Sequence, residues 1–458
     1  MACALAGSLC GASEPPKALP LNVVWIAIDA LRADHLGTYG YARETSPFLD
    51  SLAGSAVLFE RAISQESYTQ ASVPSFFTST YPRQHGVLYD HPRIDVLAPG
   101  SLTIAEILRD HGYATAAFVF NPHLHRKYGF DQGFDLYDDH DEGFSTEGPL
   151  YERMETARKI RAKLERHLAG EPRRPIFLYL HYRDVHDPYV PPPPFHARFL
   201  PKGIEAVPDL LDVRRFSRRR DVEVFLSQYD GEILYTDGVL RTTFERMSEL
   251  GLSRENTVFV ISADHGEEFR EPHPGDPGGN GHGRTLHLEQ IHVPLLLLAP
   301  GLEQRRVGAW VELTDVTPTL LDLAGIDPQR FPSLEGRSLR ALARGEGAAR
   351  PFVYAGGSNG RATLIADDWK LERFRAVTRT KAKWNMTPAP PGGAFVEQLF
   401  HLKSDPSEQK DLLSREPEQA ARLRRLLDLH ESESAPGRAG SVPLDDEARK
   451  QLEALGYL

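Results

Sequence analysis

The chain has 458 residues, of which 41% are hydrophobic and 26% charged, enough for one large core with a smaller unit or for two domains. Its net charge of −11 argues against nucleic acid as a main partner, because a phosphate backbone demands a basic surface, whereas a small anionic substrate needs only a local positive site. Both cysteines, Cys3 and Cys10, lie among the first ten residues, which excludes a disulfide framework, a zinc–thiolate site or a catalytic thiol from the rest of the chain.

The first 13 residues, MACALAGSLCGAS, are small and apolar but lack a basic leading region. They fit the remnant of an export signal, with a periplasmic or Cys10-lipidated product, as well as they fit the plain tail of a cytoplasmic protein; Leu9 suits a lipoprotein cleavage site poorly. No segment approaches the roughly 20 apolar residues that span a bilayer. A tail over 1–20 is therefore expected, then a large domain over 21–345 and a small unit over 346–458.

Almost wholly apolar runs at VVWIAI (23–28), AAFVF (116–120), IFLYLHY (176–182), TVFVIS (257–262) and VPLLLLA (293–299) mark strands buried on both faces of a parallel sheet. Helical segments alternate with them at 46–56, 101–112, 151–170 and about 221–250. This alternation predicts an α/β fold with a doubly wound, mostly parallel sheet flanked by helices, whose ligands bind beyond the carboxyl ends of the strands. Residues 187–220 are Pro-rich and then basic, a surface excursion in which RRFSRRR is a solvated charged face; GDPGGNGHG (275–283) is a Gly-rich loop. After about residue 345 shorter runs (FVYAGG, ATLIADD, WKLERF, QLFHL) precede a polar helix and a tail ending LEALGYL, which suits a C-terminal α+β subdomain with an antiparallel sheet and a closing helix.

Asp264 and His265 follow the strand at 257–262, and Asp29 follows the first strand. Two carboxylates and an imidazole converging at one sheet edge can bind Zn²⁺, Mn²⁺ or a similar ion and leave positions open for nucleophile and substrate. In SVPSFFTSTYPRQHG (72–86), Ser72 and Ser75 bracket Pro74, where a helix is expected to begin. A hydroxyl at a helix N-terminus and next to a cation can act as a nucleophile, although on this string alone an N-cap is the better reading. His35, His85, His287 and His292 read as structural, and Arg32 as a partner of Asp34.

Taken together, these pieces resemble the sulfatase family of the alkaline-phosphatase superfamily. The matching strings include NVVWIAIDALRADHLGTYGY (22–41), SVPSFFTSTYPRQHGV (72–87), HYRDVHDPYVPP (181–192), VISADHGEEF (260–269) and GHGRTLHLEQIHVPLLLLAPG (281–301). The resemblance implies metal ligands at Asp29, Asp264 and His265, and a nucleophile, also on the metal, at Ser72. It implies catalytic histidines at His186 and His282, and substrate contacts from Asn121, His123, His181 and Arg284.

The departures from the family pattern matter as much. True sulfatases make formylglycine from a Cys or Ser in a Cys/Ser-x-Pro-x-Arg string; here Phe76 stands in place of the Arg, which argues against formylglycine. Ala30 stands where a second aspartate is usual. The chain thus resembles the hydroxyl-nucleophile branch, with its phosphodiesterases and phosphonate hydrolases. The expected activity is hydrolysis of sulfuric, phosphodiester or phosphonate esters through a covalent Ser72 intermediate, with one divalent ion (Zn, Mn or Ca). The alternatives are a phosphoethanolamine-type transferase and a non-catalytic binding protein on the same fold.

Overall fold

The computed structural model describes residues 20–88, 94–139, 151–152, 155–170, 175–204, 219–275, 280–358, 360–375, 395–434, 436–437 and 439–442. The N-terminal tail through residue 19, most of the basic excursion (205–218), residues 276–279 of the Gly-rich loop and the tail LEALGYL lie outside the described residues.

In chain order the strands are β1 (Asn22–Ile28), β2 (Val57–Ile63), β3 (Ile94–Val96), β4 (Ala114–Val119), β5 (Leu136–Asp138), β6 (Ile176–Tyr182), β7 (Thr257–Ala263), β8 (Glu268–Phe269), β9 (Asn280–Gly281), β10 (His292–Leu298), β11 (Arg305–Glu312), β12 (Val353–Gly356), β13 (Ala362–Ala366), β14 (Trp369–Arg375), β15 (Phe395–His401) and β16 (Gly440–Val442). Eight of them form the central sheet, in the order β11-β2-β10-β7-β1-β6-β4-β5. Every neighbouring pair is parallel except those of β10, which runs antiparallel to both β2 and β7. The expectation of a parallel strand at 293–299 is corrected here: an apolar run reports burial on both faces and is silent on direction.

Helices flank this sheet. The long helix Arg219–Glu249 packs with α1 (Pro47–Ala53) and with the helix Thr156–Leu168. On the other side of the chain's contacts, α2 (Thr69–Thr78) packs with α3 (Pro82–His85), α4 (Ile104–Asp110) and the helix Val316–Leu323. A capping box starts α4: Thr103 Oγ1 accepts from the Glu106 N–H (3.2 Å), and Glu106 Oε2 accepts from the Thr103 N–H (2.9 Å). All ten residues of α2 are buried, with Phe76 and Phe77 packed on Trp25 of β1 at ring-centroid distances of 4.7 and 6.3 Å. Pro74, expected to open this helix, lies inside it. The missing N–H is offset by burial of the aromatic pair, each ring of which contributes a few kcal/mol.

The four-stranded antiparallel sheet β12-β13-β14-β15 shows the period-two pattern of a sheet covered on both faces. Leu364, Leu371 and Leu399 pack against Leu423 and Leu427 of the helix Pro417–Glu433. Val353, Ile365 and Phe400 face Ile63 and Ile291 of the larger unit. At this seam lies a buried ion network. Lys370 pairs with Glu408 and, at 3.3 Å, with Glu372, while His287 Nδ1 lies 3.3 Å from Glu372 and 3.5 Å from Glu408. No helix among the described residues is long and apolar enough to cross a membrane.

Candidate active site

The site forms because β1 and β7 are neighbours in register, Ile28 opposite Ala263, so the residues that follow them, Asp29 and Asp264, emerge side by side at the carboxyl edge. Between β1 and the chain that follows, Ala30 takes a left-handed backbone (φ 58°), which turns its N–H onto Asp264 Oδ1 at 3.2 Å. The Tyr229 hydroxyl holds that turn, donating to the Ala30 carbonyl (2.7 Å) and accepting from the Arg32 N–H (2.9 Å). A non-glycine residue in this conformation is strained, and here the strain sits beside two buried carboxylates.

Asp29, Asp264 and His265 offer ligand atoms that all lie within 4.8 Å of one another, and all three side chains are buried. His265 Nδ1 donates to the Gly266 carbonyl at 2.8 Å, which leaves Nε2 as a lone pair facing Asp29 Oδ1 (3.6 Å) and Asp264 Oδ2 (3.7 Å). That is the tautomer a metal ligand requires. Asp264 Oδ2 has no hydrogen-bond partner. Burial and the charge of Asp264 raise the Asp29 carboxyl to about 6. Burial works the same way on Asp264, but the His265 and His181 imidazoles beside it outweigh it and hold that carboxyl below the usual carboxylate range. Two like charges and an orphaned oxygen in a dry pocket are what a bound cation relieves, so the residues present fit a divalent ion.

The hydroxyl at this cluster is that of Thr69, the first residue of α2. Its Oγ1 lies 3.1 Å from His265 Nε2 and 3.5 Å from Asp29 Oδ1. Ser72, expected as the nucleophile, lies one turn further along the same helix, where its hydroxyl donates to the Thr69 carbonyl (3.4 Å). The helix expected to open at Pro74 opens at Thr69. Thr69 opens a ten-residue helix, so the positive end of the helix dipole lies at this residue.

Asn121 Nδ2 donates to Asp29 Oδ2 (2.7 Å) and reaches Thr69 Oγ1 at 3.3 Å. His181, the sixth residue of β6, is fully buried with Nε2 3.6 Å from Asp264 Oδ2. His123 lies one step further out, with Nε2 2.7 Å from the Tyr68 hydroxyl. The His282 ring stacks 4.2 Å from that of His265, and the His186 ring lies 4.9 Å from that of His282. Arg284, expected near the substrate, is turned onto Glu268 at 3.0 Å. His85 accepts from the Val87 N–H (3.1 Å) and lies 3.0 Å from Ser75 Oγ, next to α2.

Three residues at the site went unnoticed in the sequence. Thr69 is one. Arg183 is buried beside the cluster, where its charge lowers Asp29, and its Nη2 donates to the Asp187 carbonyl (3.0 Å). Glu267 is fully buried with Oε1 3.1 Å from His282 Nδ1. Both lie inside strings already singled out, HYRDVH and DHGEEF; a charged residue two positions past a strand-end histidine was the available signal.

The model of the Sulfatase family matches residues 21–326, a span that contains every residue of this cluster. The chain belongs to the sulfatase family. Among its sulfatase relatives, the ulvan-active sulfatase of Formosa agariphila is 27% identical over 360 residues, 72% of this chain and 65% of that protein. Bovine arylsulfatase K is 28% identical over 202 residues, 42% of this chain and 34% of that one. The chain thus matches less than two thirds of the length of these two relatives. Among solved structures, the phosphonate monoester hydrolase of Agrobacterium radiobacter superposes with a TM-score of 0.70 at 18% identity, covering 90% of this chain and 96% of that one, a likeness of fold.

Proposed function

We propose that this sulfatase-family protein is a metal-dependent hydrolase of sulfuric, phosphodiester or phosphonate esters in which Thr69, and not Ser72, is the attacking hydroxyl. The observation that carries this reading is the meeting of Thr69 Oγ1 with Asp29, Asp264 and His265 at the N-terminus of α2. Asp29, Asp264 and His265 would hold the ion, with Thr69 beside it. A bound Zn²⁺, Mn²⁺ or Ca²⁺ supplies Lewis-acid polarisation of the ester and lowers the pKa of a neighbouring hydroxyl.

The remaining steps belong to the chain's own residues. Thr69 Oγ1 attacks the sulfur or phosphorus in line with the leaving oxygen and forms a covalent ester on Thr69. Asn121, hydrogen-bonded to both Asp29 and Thr69, fixes the attacking geometry. Arg183, the buried guanidinium, neutralises charge beside the cluster. His186 or His282 gives a proton to the leaving oxygen, and water then releases the acid from Thr69. The sulfatase names of the relatives and the phosphonate hydrolase fold likeness support both substrate classes.

The test is a panel of aryl sulfate, phosphate monoester, phosphodiester and phosphonate esters, each assayed with added Zn²⁺, Mn²⁺ or Ca²⁺, with Thr69→Val as control. At least one ester should be hydrolysed only with metal present, and the variant should be inactive. Turnover of none of them, or full activity in Thr69→Val, would contradict the proposal. Activity that appears only when an acceptor alcohol is added would identify a transferase instead.

A further inference from the structure

Two imidazoles flank the cluster, and their hydrogen-bond anchors differ. His186 Nδ1 lies 2.7 Å from the Asp187 carbonyl oxygen, which can only accept, so the ring's hydrogen sits on Nδ1 and a neutral ring offers only a lone pair at Nε2. Burial, and then the charge of Arg183 at 3.2 Å from the same nitrogen, keep His186 well below the usual histidine range. His282 has a different anchor: its Nδ1 meets the Glu267 carboxylate, whose second oxygen accepts from the Tyr189 hydroxyl at 2.7 Å. Glu267 is itself pinned. Its N–H donates to the Glu289 carbonyl (2.9 Å), and its own carbonyl accepts from Arg32 Nη1 (3.0 Å). A fully buried carboxylate whose second oxygen is held by Tyr189, on a backbone hydrogen-bonded at both its N–H and its carbonyl, does not turn away from the ring it faces.

We infer that Glu267 is a positioning residue for catalysis. Its carboxylate, fixed by Tyr189, sets the plane and tautomer of His282, the ring that gives a proton to the leaving oxygen. The inference rests on the reading of Thr69 as nucleophile. In the first step Thr69 enters as the alkoxide: the bond from its Oγ1 to sulfur or phosphorus forms, the bond to the leaving oxygen breaks, and the proton on His282 Nε2 passes to that oxygen to give the free alcohol. In the second, His282 Nε2 takes a proton from water, whose oxygen displaces Thr69 Oγ1; the proton count returns to its starting value. An imidazole backed by a carboxylate is an effective general acid because its tautomer and direction are fixed.

The experiment compares the full-length, metal-loaded parent with Glu267→Gln and Tyr189→Phe on matched phenyl and 4-nitrophenyl esters. Loss of a positioned acid matters most where the departing oxygen most needs a proton. Glu267→Gln should therefore lower kcat about 10²-fold or more on the phenyl ester, with at least a tenfold smaller loss on the 4-nitrophenyl ester and little change in KM. Tyr189→Phe should show the same pattern more weakly. An equal loss on both esters would mark Glu267 as merely structural and overturn the inference. In parallel, the ring ¹⁵N spectrum of the parent, with His282 assigned from His282→Gln, should show hydrogen on Nδ1. A bare Nδ1 would also overturn it, whether or not any variant folds. A parent that cleaves no ester defeats the proposed function, while the ring spectrum still decides the tautomer.

Discussion

Exchanging the two candidate hydroxyls separately gives opposite expectations for stability and activity. Thr69→Val keeps the branched shape at the first residue of α2 and removes only the oxygen. Its folded-state contacts, to His265 (3.1 Å), Asp29 (3.5 Å) and Asn121 (3.3 Å), are few and partly long, so the stability cost is about 1–2 kcal/mol. The catalytic cost is of another order. Without the attacking oxygen the covalent route is closed, and kcat/KM should fall by about 10³-fold or more, some 4 kcal/mol at about 1.4 kcal/mol per decade. Ser72→Ala loses one 3.4 Å bond to a helix carbonyl, worth about 0.5 kcal/mol, and should leave kcat/KM within about threefold of the parent. Steady-state kinetics on the best ester of the panel, with thermal melts to verify folding, measure both. A dead Ser72→Ala beside an active Thr69→Val would refute the placement of the nucleophile.

Removal of Asn121, which grips Asp29 at 2.7 Å from outside the cluster, should weaken divalent-ion affinity by about 10–100-fold in calorimetric titrations of Asn121→Ala, the usual effect of losing an outer-sphere partner. Lys370→Met should destabilise the protein by about 3–5 kcal/mol in denaturant melts, because Glu372 and Glu408 would lose one of the two buried cations they share, Lys370 and His287. Within the same network, burial pushes His287 down but the charges of Glu372 and Glu408 outweigh it and raise it to about 9. Its folded value exceeds its unfolded value, so its contribution to stability is complete below pH about 6.5, shrinks as pH rises and is gone above about 9. The stability difference between the parent and His287→Gln should shrink over that window; a difference that grows with pH would contradict the assignment.

The three residues of the cluster, Asp29, Asp264 and His265, were legible because two independent signals coincide at them. An apolar run that stops at a carboxylate gives the strand end, and the α/β pattern gives the edge at which ligands bind. β1 and β7 then place Asp29 and Asp264 together without further information. The hydroxyl was harder. Pro74 is a strong opening signal for a helix, and only the packing of Phe76 and Phe77 against Trp25 shows that the helix starts five residues earlier and tolerates the proline inside. Arg183 and Glu267 stood in view as letters, but their roles depend on partners, Asp187 and Tyr189, that only the folded chain brings to them. His287, read as structural, is part of a seam whose other members come from the C-terminal unit, a pairing no local pattern encodes. The direction of β10 was likewise invisible, since both faces of that strand are buried whichever way it runs.

The most direct test of the metal centre is anomalous diffraction from crystals grown with Mn²⁺ or Zn²⁺. The account predicts one strong peak bounded by Asp29, Asp264 and His265, within bonding distance of Thr69 Oγ1. A peak bonded to Ser72 Oγ, or ions found only at His287, Glu372 and Glu408, would contradict it.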